Sequence, residues 1–119
     1  MTNTEKRIRF IQMLGEFILQ AKAEGINFII WTFYRSPSDQ NFLYQQGRTR
    51  PGKIITNCDG HLVQSKHQSW LAVDLLIIKD NSPLWERTPE YERLGEMWKS
   101  LGGRWGGTLS NPDCFHFEL

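Results

Sequence analysis

The stretch Ser65-Lys-His-Gln-Ser-Trp-Leu-Ala-Val-Asp74, running on as Leu75-Leu-Ile-Ile78, decides how this chain is read. It opens with polar, turn-prone residues and closes in an apolar, β-branched run. A loop therefore passes into a strand over Ala72–Ile78. An imidazole (His67) and a carboxylate (Asp74) straddle that passage, 7 residues apart. The tail Asp113-Cys-Phe-His-Phe-Glu-Leu119 brings a second imidazole, His116, on a short strand expected over Phe115–Leu119. Asp113 stands three residues before it.

Two imidazoles and a carboxylate are a donor set that suits zinc, which in catalytic sites takes three protein ligands and keeps a fourth position open. His67, Asp74 and His116 are accordingly the candidate ligands of one zinc ion. Asp113 is the candidate proton carrier beside it. Arg35, at a strand-to-helix junction, is the candidate for steadying charge that develops on an attacked carbonyl. Spacing alone leaves plainer readings open. Asp74 is also a fitting turn or cap residue, and Asp113 after Asn111-Pro112 a fitting turn former. His61 reads as an ordinary surface side chain, and Trp105-Gly106-Gly107 as a tight bend.

Around these residues the chain alternates helices and strands. A helix is expected from Thr4, its N-cap, to Glu24, with Ile8, Ile11, Leu14, Ile18 and Ala21 as the apolar face and Gly25 beyond its end. Ile26–Thr32 reads as a buried strand. Ser36-Pro37 starts a second helix that runs to Gln46. Gly47–Gly60 reads as a loop with a short extended piece at Ile54–Thr56, long enough to form a wall of a cleft. Asp80–Pro83 is a turn. Thr88-Pro89-Glu90 starts a third helix carrying Tyr91, Leu94, Trp98 and Leu101 up to Gly102-Gly103. Arg104–Ser110 reads as a glycine-rich connection. The loops are too short for regular βαβ crossovers, so the fold class is α+β.

Size predicts one domain, residues 1–119. The net charge of +1, from 14 basic and 13 acidic residues, leaves no basic surplus for nucleic acid. The cluster Arg48-Thr-Arg50-Pro-Gly-Lys53 reads as a solvated loop, with contact to an anionic polymer as the alternative. Cys58 and Cys114, the only cysteines, have no zinc-finger or CxxC spacing and read as free thiols. No run approaches the ~20 apolar residues of a membrane span, and no signal-peptide pattern follows Met1.

In combination the motifs are more specific than any one of them. Ser65-x-His67-x-x-x-x-Ala72-x-Asp74, joined to Asp113-x-x-His116-Phe-Glu, resembles the zinc peptidases of family M15, the VanY/VanX and L-alanyl-D-glutamate endopeptidase group. Tyr34-Arg35-Ser36 with Gln40 resembles that family's first motif, and Trp105-Gly106-Gly107 its glycine-rich turn.

The resemblance implies a small α+β domain with an antiparallel sheet flanked by helices. It implies Zn2+ on His67, Asp74 and His116, Asp113 as general base, and Arg35 acting in catalysis and on the substrate. Further substrate contacts are implied for Gln40, Ser65 and Trp105. The implied substrate is the peptide stem of bacterial peptidoglycan. The expected protein is a monomeric phage or prophage endolysin of L-alanyl-D-glutamate endopeptidase type, made in the cytoplasm and reaching the wall through a membrane lesion. The alternatives are a D-alanyl-D-alanine carboxypeptidase and a non-catalytic zinc-containing binding module. One departure stands out: the family pattern has Gly three residues after the first His, and this chain has Trp70, a ring expected to reshape the cleft or pack beneath it.

Overall fold

Strand β2 (Ala72–Lys79) runs through the middle of a fully antiparallel sheet, in a computed structural model that describes residues Met1–Leu119. One edge of β2 pairs with β1 (Asn27–Thr32). Two short strands share its other edge, β5 (His116–Glu118) at the start and β3 (Ser82–Pro83) at the end. Strand β4 (Arg104–Trp105) then pairs with β5, which gives the order β1-β2-β5-β4. A two-residue loop joins β2 to β3. Both of its residues, Asp80 and Asn81, hold positive φ (52° and 61°), the conformation a tight hairpin demands and Asp and Asn tolerate.

Side chains alternate across a strand, so the sheet has one oily and one chemical face. Val73, Leu75 and Ile77 of β2 and Phe117 of β5 join the hydrophobic core. Asp74 and its cross-strand partner His116 take the other face, where Glu118 follows two residues later. Helices α1 (Asn3–Ala23) and α3 (Pro89–Ser100) cover the oily face. The α+β expectation, with an antiparallel sheet and flanking helices, matches this architecture.

The buried stripe of α1 is Phe10, Met13, Leu14, Phe17 and Ala21. That corrects the expected face in part: Leu14 and Ala21 are buried as expected, but Ile8, Ile11 and Ile18 are exposed. The aromatic rings decide the rotation. Phe10 and Phe17 each meet Trp98 of α3 edge-to-face, with ring centres 5.6 and 5.3 Å apart, and a Phe ring offers more area to bury than an isoleucine. The N-cap is Thr2, whose hydroxyl accepts from Glu5 N at 3.1 Å, and not Thr4.

Strand β1 is not buried as expected. It lies at the sheet's outer edge, where Ile29, Ile30 and Trp31 are about half exposed. Helix α2 (Pro37–Gln45) starts as read, with Ser36 accepting from Asp39 N at 3.1 Å and Pro37 in the first turn.

The Gly47–Gly60 segment forms a loop with no strand at Ile54–Thr56. Its two arginines turn back onto α2. Arg48 lies over the Tyr44 ring and bonds the Tyr44 and Thr56 carbonyls, while Arg50 lies over Phe42 and bonds its carbonyl. They brace the loop against the helix. Strand β4 falls where a glycine-rich connection was expected, because two residues show no period to read.

Candidate metal centre and cleft

Ser65 is the hinge of the first candidate ligand. Its hydroxyl accepts from His67 N at 3.3 Å, and its own N–H donates to Gln68 Oε1 at 2.9 Å. This reciprocal cap starts a 3-10 turn, Lys66–Ser69, that turns His67 inward until it is buried. The His67 Nδ1–H donates to the Phe33 carbonyl at 2.7 Å. That bond fixes the tautomer and leaves Nε2 facing Asp74 Oδ2 at 3.3 Å.

His116 is aimed from the other side. Its Nε2 pairs with Glu118 Oε1 at 2.8 Å, which leaves Nδ1 against Asp74 Oδ1 at 3.1 Å. The two imidazole rings stand 5.1 Å apart at 68°. Gly106 allows the tail to come this close, since a Cβ there would sit 2.3 Å from the Asp113 carbonyl oxygen and 2.8 Å from the His116 Cβ.

The donor atoms of His67, Asp74 and His116 all lie within 4.8 Å of one another. Tetrahedral coordination at ~2 Å places donors roughly 3.3 Å apart, so the separations to Asp74 already suit zinc. Each histidine also has its outer nitrogen engaged, by a carbonyl at His67 and by a carboxylate at His116. Metal-ligating histidines are held in this way. The residues present fit the ion.

The charges agree with a site built for a cation. Burial alone would raise Asp74, but the hydrogen bond from His116 holds its carboxyl down at about 2. Burial alone would lower His116, but Asp74 and Glu118 raise it to about 9. Without a metal, the imidazolium of His116 is the cation between those two carboxylates. Asp113 stands at the exposed rim with its carboxyl pushed up, first by the atoms crowding it and then by the Asp74 charge. One Asp113 oxygen accepts from Phe115 N at 3.1 Å; the other has no partner in the chain.

Arg35 points Nη2 at Asp74 Oδ2, 3.7 Å away, and gives Nη1 to Gln40 Oε1 at 2.8 Å. A cleft of about 370 Å³ collects Arg35, Ser65, His67, Asp74, Asp113 and His116. Ile55, Thr56 and Cys58 supply the loop wall.

Two of the expected substrate contacts need correction. Gln40 is fully buried, and its amide also donates to the Cys58 carbonyl at 2.9 Å, so it holds Arg35 and the loop from beneath. Trp105 is 2% exposed, donates to the Cys114 carbonyl at 3.0 Å and fills the space over Gly95 and Gly107; it is core. Cys114 lies in the hydrophobic core, and burial pushes its thiol up to about 11.

Trp70 neither reshapes the cleft nor packs beneath it. It keeps a left-handed backbone, φ 61°, and sends its ring outward to stack on Tyr34 at 4.6 Å. Glu118 has no role assigned by the motifs. Its signal is the two-residue step from His116, which puts both side chains on one face of the strand.

Three comparisons bear on this arrangement. Residues 59–119 match the family model described as D-alanyl-D-alanine carboxypeptidase, within peptidase family M15. The peptidoglycan L-alanyl-D-glutamate endopeptidase CwlK of Bacillus subtilis (strain 168) is 35% identical over 109 residues. That alignment takes in 83% of this chain and 64% of the relative, so the chain spans under two thirds of the relative's length. Two solved structures share the fold at 21% identity. The Serratia marcescens L-Ala D-Glu endopeptidase ChiX superposes with a TM-score of 0.57, over 79% of this chain and 67% of its own. A variant of the vancomycin resistance D,D-pentapeptidase VanY, in complex with Zn(II), gives 0.65, over 94% and 71%.

Proposed function

This chain belongs to peptidase family M15, and from that membership we propose that it is a zinc metallopeptidase hydrolysing an amide bond in the peptide stem of bacterial peptidoglycan. The observation that carries the proposal is the convergence of His67, Asp74 and His116, each held by a further partner, in a cleft that also contains Asp113 and Arg35. Zinc held there supplies Lewis acidity toward the scissile carbonyl and an attacking water.

The chain's own groups do the rest. The raised carboxyl of Asp113 takes a proton from water at its unpartnered oxygen and returns it to the leaving amine. Arg35, locked by Gln40, presents a fixed fork to a carbonyl gaining charge or to a substrate carboxylate. Phe33 O and Glu118 keep the two imidazoles from turning.

The bond between L-alanine and D-glutamate is the favoured target. CwlK carries that activity in its name, and hollows open on both sides of the Asp74–Asp113 pair. An enzyme that cuts within a chain needs room on both sides. The second reading, D-alanyl-D-alanine carboxypeptidase, draws on the family model's description and on Arg35 as an anchor for a terminal carboxylate. The finer assignment, a phage or prophage endolysin acting from the cytoplasm through a membrane lesion, draws on the motif resemblance.

Digestion of purified peptidoglycan, with mass analysis of the products and a metal assay, tests all of these. New amino-terminal D-glutamate supports the endopeptidase, and free D-alanine the carboxypeptidase. Zinc bound with no bond cut would leave only a binding module. Lysis of intact cells only after their membrane is permeabilised supports the endolysin assignment.

A further inference from the structure

Strand β1 carries one residue more than β2 between the Ile30–Leu75 and Thr32–Asp74 pairs, and that residue is Trp31. A bulge of this kind re-aims side chains and is common beside active sites. From the other edge of β2 comes Trp85, just after β3, where Leu84 N donates to the Ile77 carbonyl at 2.8 Å. The two indoles meet with ring centres 5.2 Å apart, at 81°. They are 59% and 55% exposed, and neither belongs to the hydrophobic core. With Leu75, Leu76 and Phe115 they line a groove of about 260 Å³ whose remaining walls are Asp74 and Asp113. The groove and the polar cleft share those two carboxylates and no other residue.

We propose that Trp31 and Trp85 form a sugar subsite, taking the apolar C–H face of the muramic acid ring that carries the stem peptide. The proposal rests on the endopeptidase reading above. Around a bond between L-alanine and D-glutamate the peptide offers a methyl group and carboxylates. No peptide group there is broad and flat enough to cover an indole face. The sugar ring is, and its lactyl group and one alanine separate it from the scissile bond. The polar cleft, with Arg35 and the exposed Lys66, suits the carboxylate-bearing part beyond the bond. Exposed aromatic rings beside a site mark ligand grooves, because they give contact area with few rotors to freeze.

Two measurements test the subsite on Trp31→Ala, Trp85→Ala and the corresponding Phe variants. In the first, the peptide-free disaccharide N-acetylglucosaminyl-N-acetylmuramic acid is titrated against zinc-loaded and chelator-treated protein, followed by calorimetry. Saturable binding in both forms, lost in the Ala variants and partly kept in the Phe variants, is expected. In the second, kcat/KM is compared between a muramoyl-peptide and the same peptide with acetyl in place of the sugar. The wild-type preference for the sugar-bearing substrate should fall about tenfold in each Ala variant, the size of an aromatic stacking contact.

No disaccharide binding, or an unchanged preference ratio, overturns the subsite whether or not the peptide is cut. Disaccharide binding without hydrolysis of either peptide sustains the subsite and overturns the peptidase. Because the second measurement is a ratio of two substrates on the same protein, a variant of lowered stability does not imitate its result.

Discussion

Gln40 Oε1 accepts a hydrogen bond of 2.8 Å from Arg35 Nη1, beneath the cleft and out of contact with solvent. The same amide donates to Thr56 Oγ1 and to the Cys58 carbonyl. One buried side chain thus couples the cleft's arginine to the loop that walls it. Gln40→Ala leaves those partners unsatisfied, at about 1–3 kcal/mol for each buried group. Urea unfolding should show the loss. Peptide hydrolysis should fall further than stability alone requires, because Arg35 is released from its pose. Gln40→Glu, which keeps the acceptor, should recover Arg35 but lose the bonds to the loop.

Glu118 acts on His116 through a single short contact. Glu118→Ala should weaken zinc binding about 10–100-fold, the usual cost of losing such a partner. Glu118→Gln keeps an acceptor oxygen and should fall between it and the wild type. Competition with a chelator of known affinity reads both.

Asp113→Asn keeps the shape of the rim carboxyl and removes its proton chemistry. Zinc content should be unchanged while hydrolysis drops about 100-fold or more. A fully active Asp113→Asn would move the proton carrier elsewhere.

The zinc-free protein has a defined pH signature. His116, raised from 6.5 to about 9, binds its proton more tightly folded than unfolded. The stability this brings is fully present below 6.5 and is lost as pH rises through about 9. It amounts to roughly 3 kcal/mol at most, because each tenfold gain in proton affinity is worth about 1.4 kcal/mol. Asp74, lowered from 3.8 to about 2, loses its contribution as pH falls through that range. Asp74 and His116 form one hydrogen-bonded pair, so the two contributions do not add. Urea midpoints of chelator-treated protein should decline between about pH 6.5 and 9.5. Zinc loading should abolish that decline and, at about pH 7, release about one proton, measurable by calorimetry in buffers of different ionisation enthalpy.

Trp70→Gly and Trp70→Ala separate backbone from ring. Both lose the stack on Tyr34, but only alanine keeps a Cβ at φ 61°, a conformation that costs an L-residue about 1 kcal/mol or more. The glycine variant should therefore be the more stable of the two. Thermal melts compare them directly.

The candidate ligands were legible because each sits beside a local signal: a turn before a strand for His67 and Asp74, and an alternating tail for His116. The caps at Ser36 and the stripe of α3 were legible for the same reason. What stayed hidden depends on packing between distant segments. Trp105 and Gln40 lie within readable motifs, yet their burial follows from Gly95 and Cys58, residues that no local period connects to them. The face of α1 was misread because several isoleucines repeat at helical spacing, and only the facing Trp98 shows that the phenylalanines turn inward. Glu118 was visible as a letter, but its role required knowing which histidine nitrogen was already taken.

The outer position of β1 has a practical result. Its free edge presents unpaired backbone groups beside Ile29, Ile30 and Trp31, a template onto which a second extended chain can hydrogen-bond. Concentrated preparations should tend to associate along that rim, and a lysine in place of Ile30 should keep them dispersed.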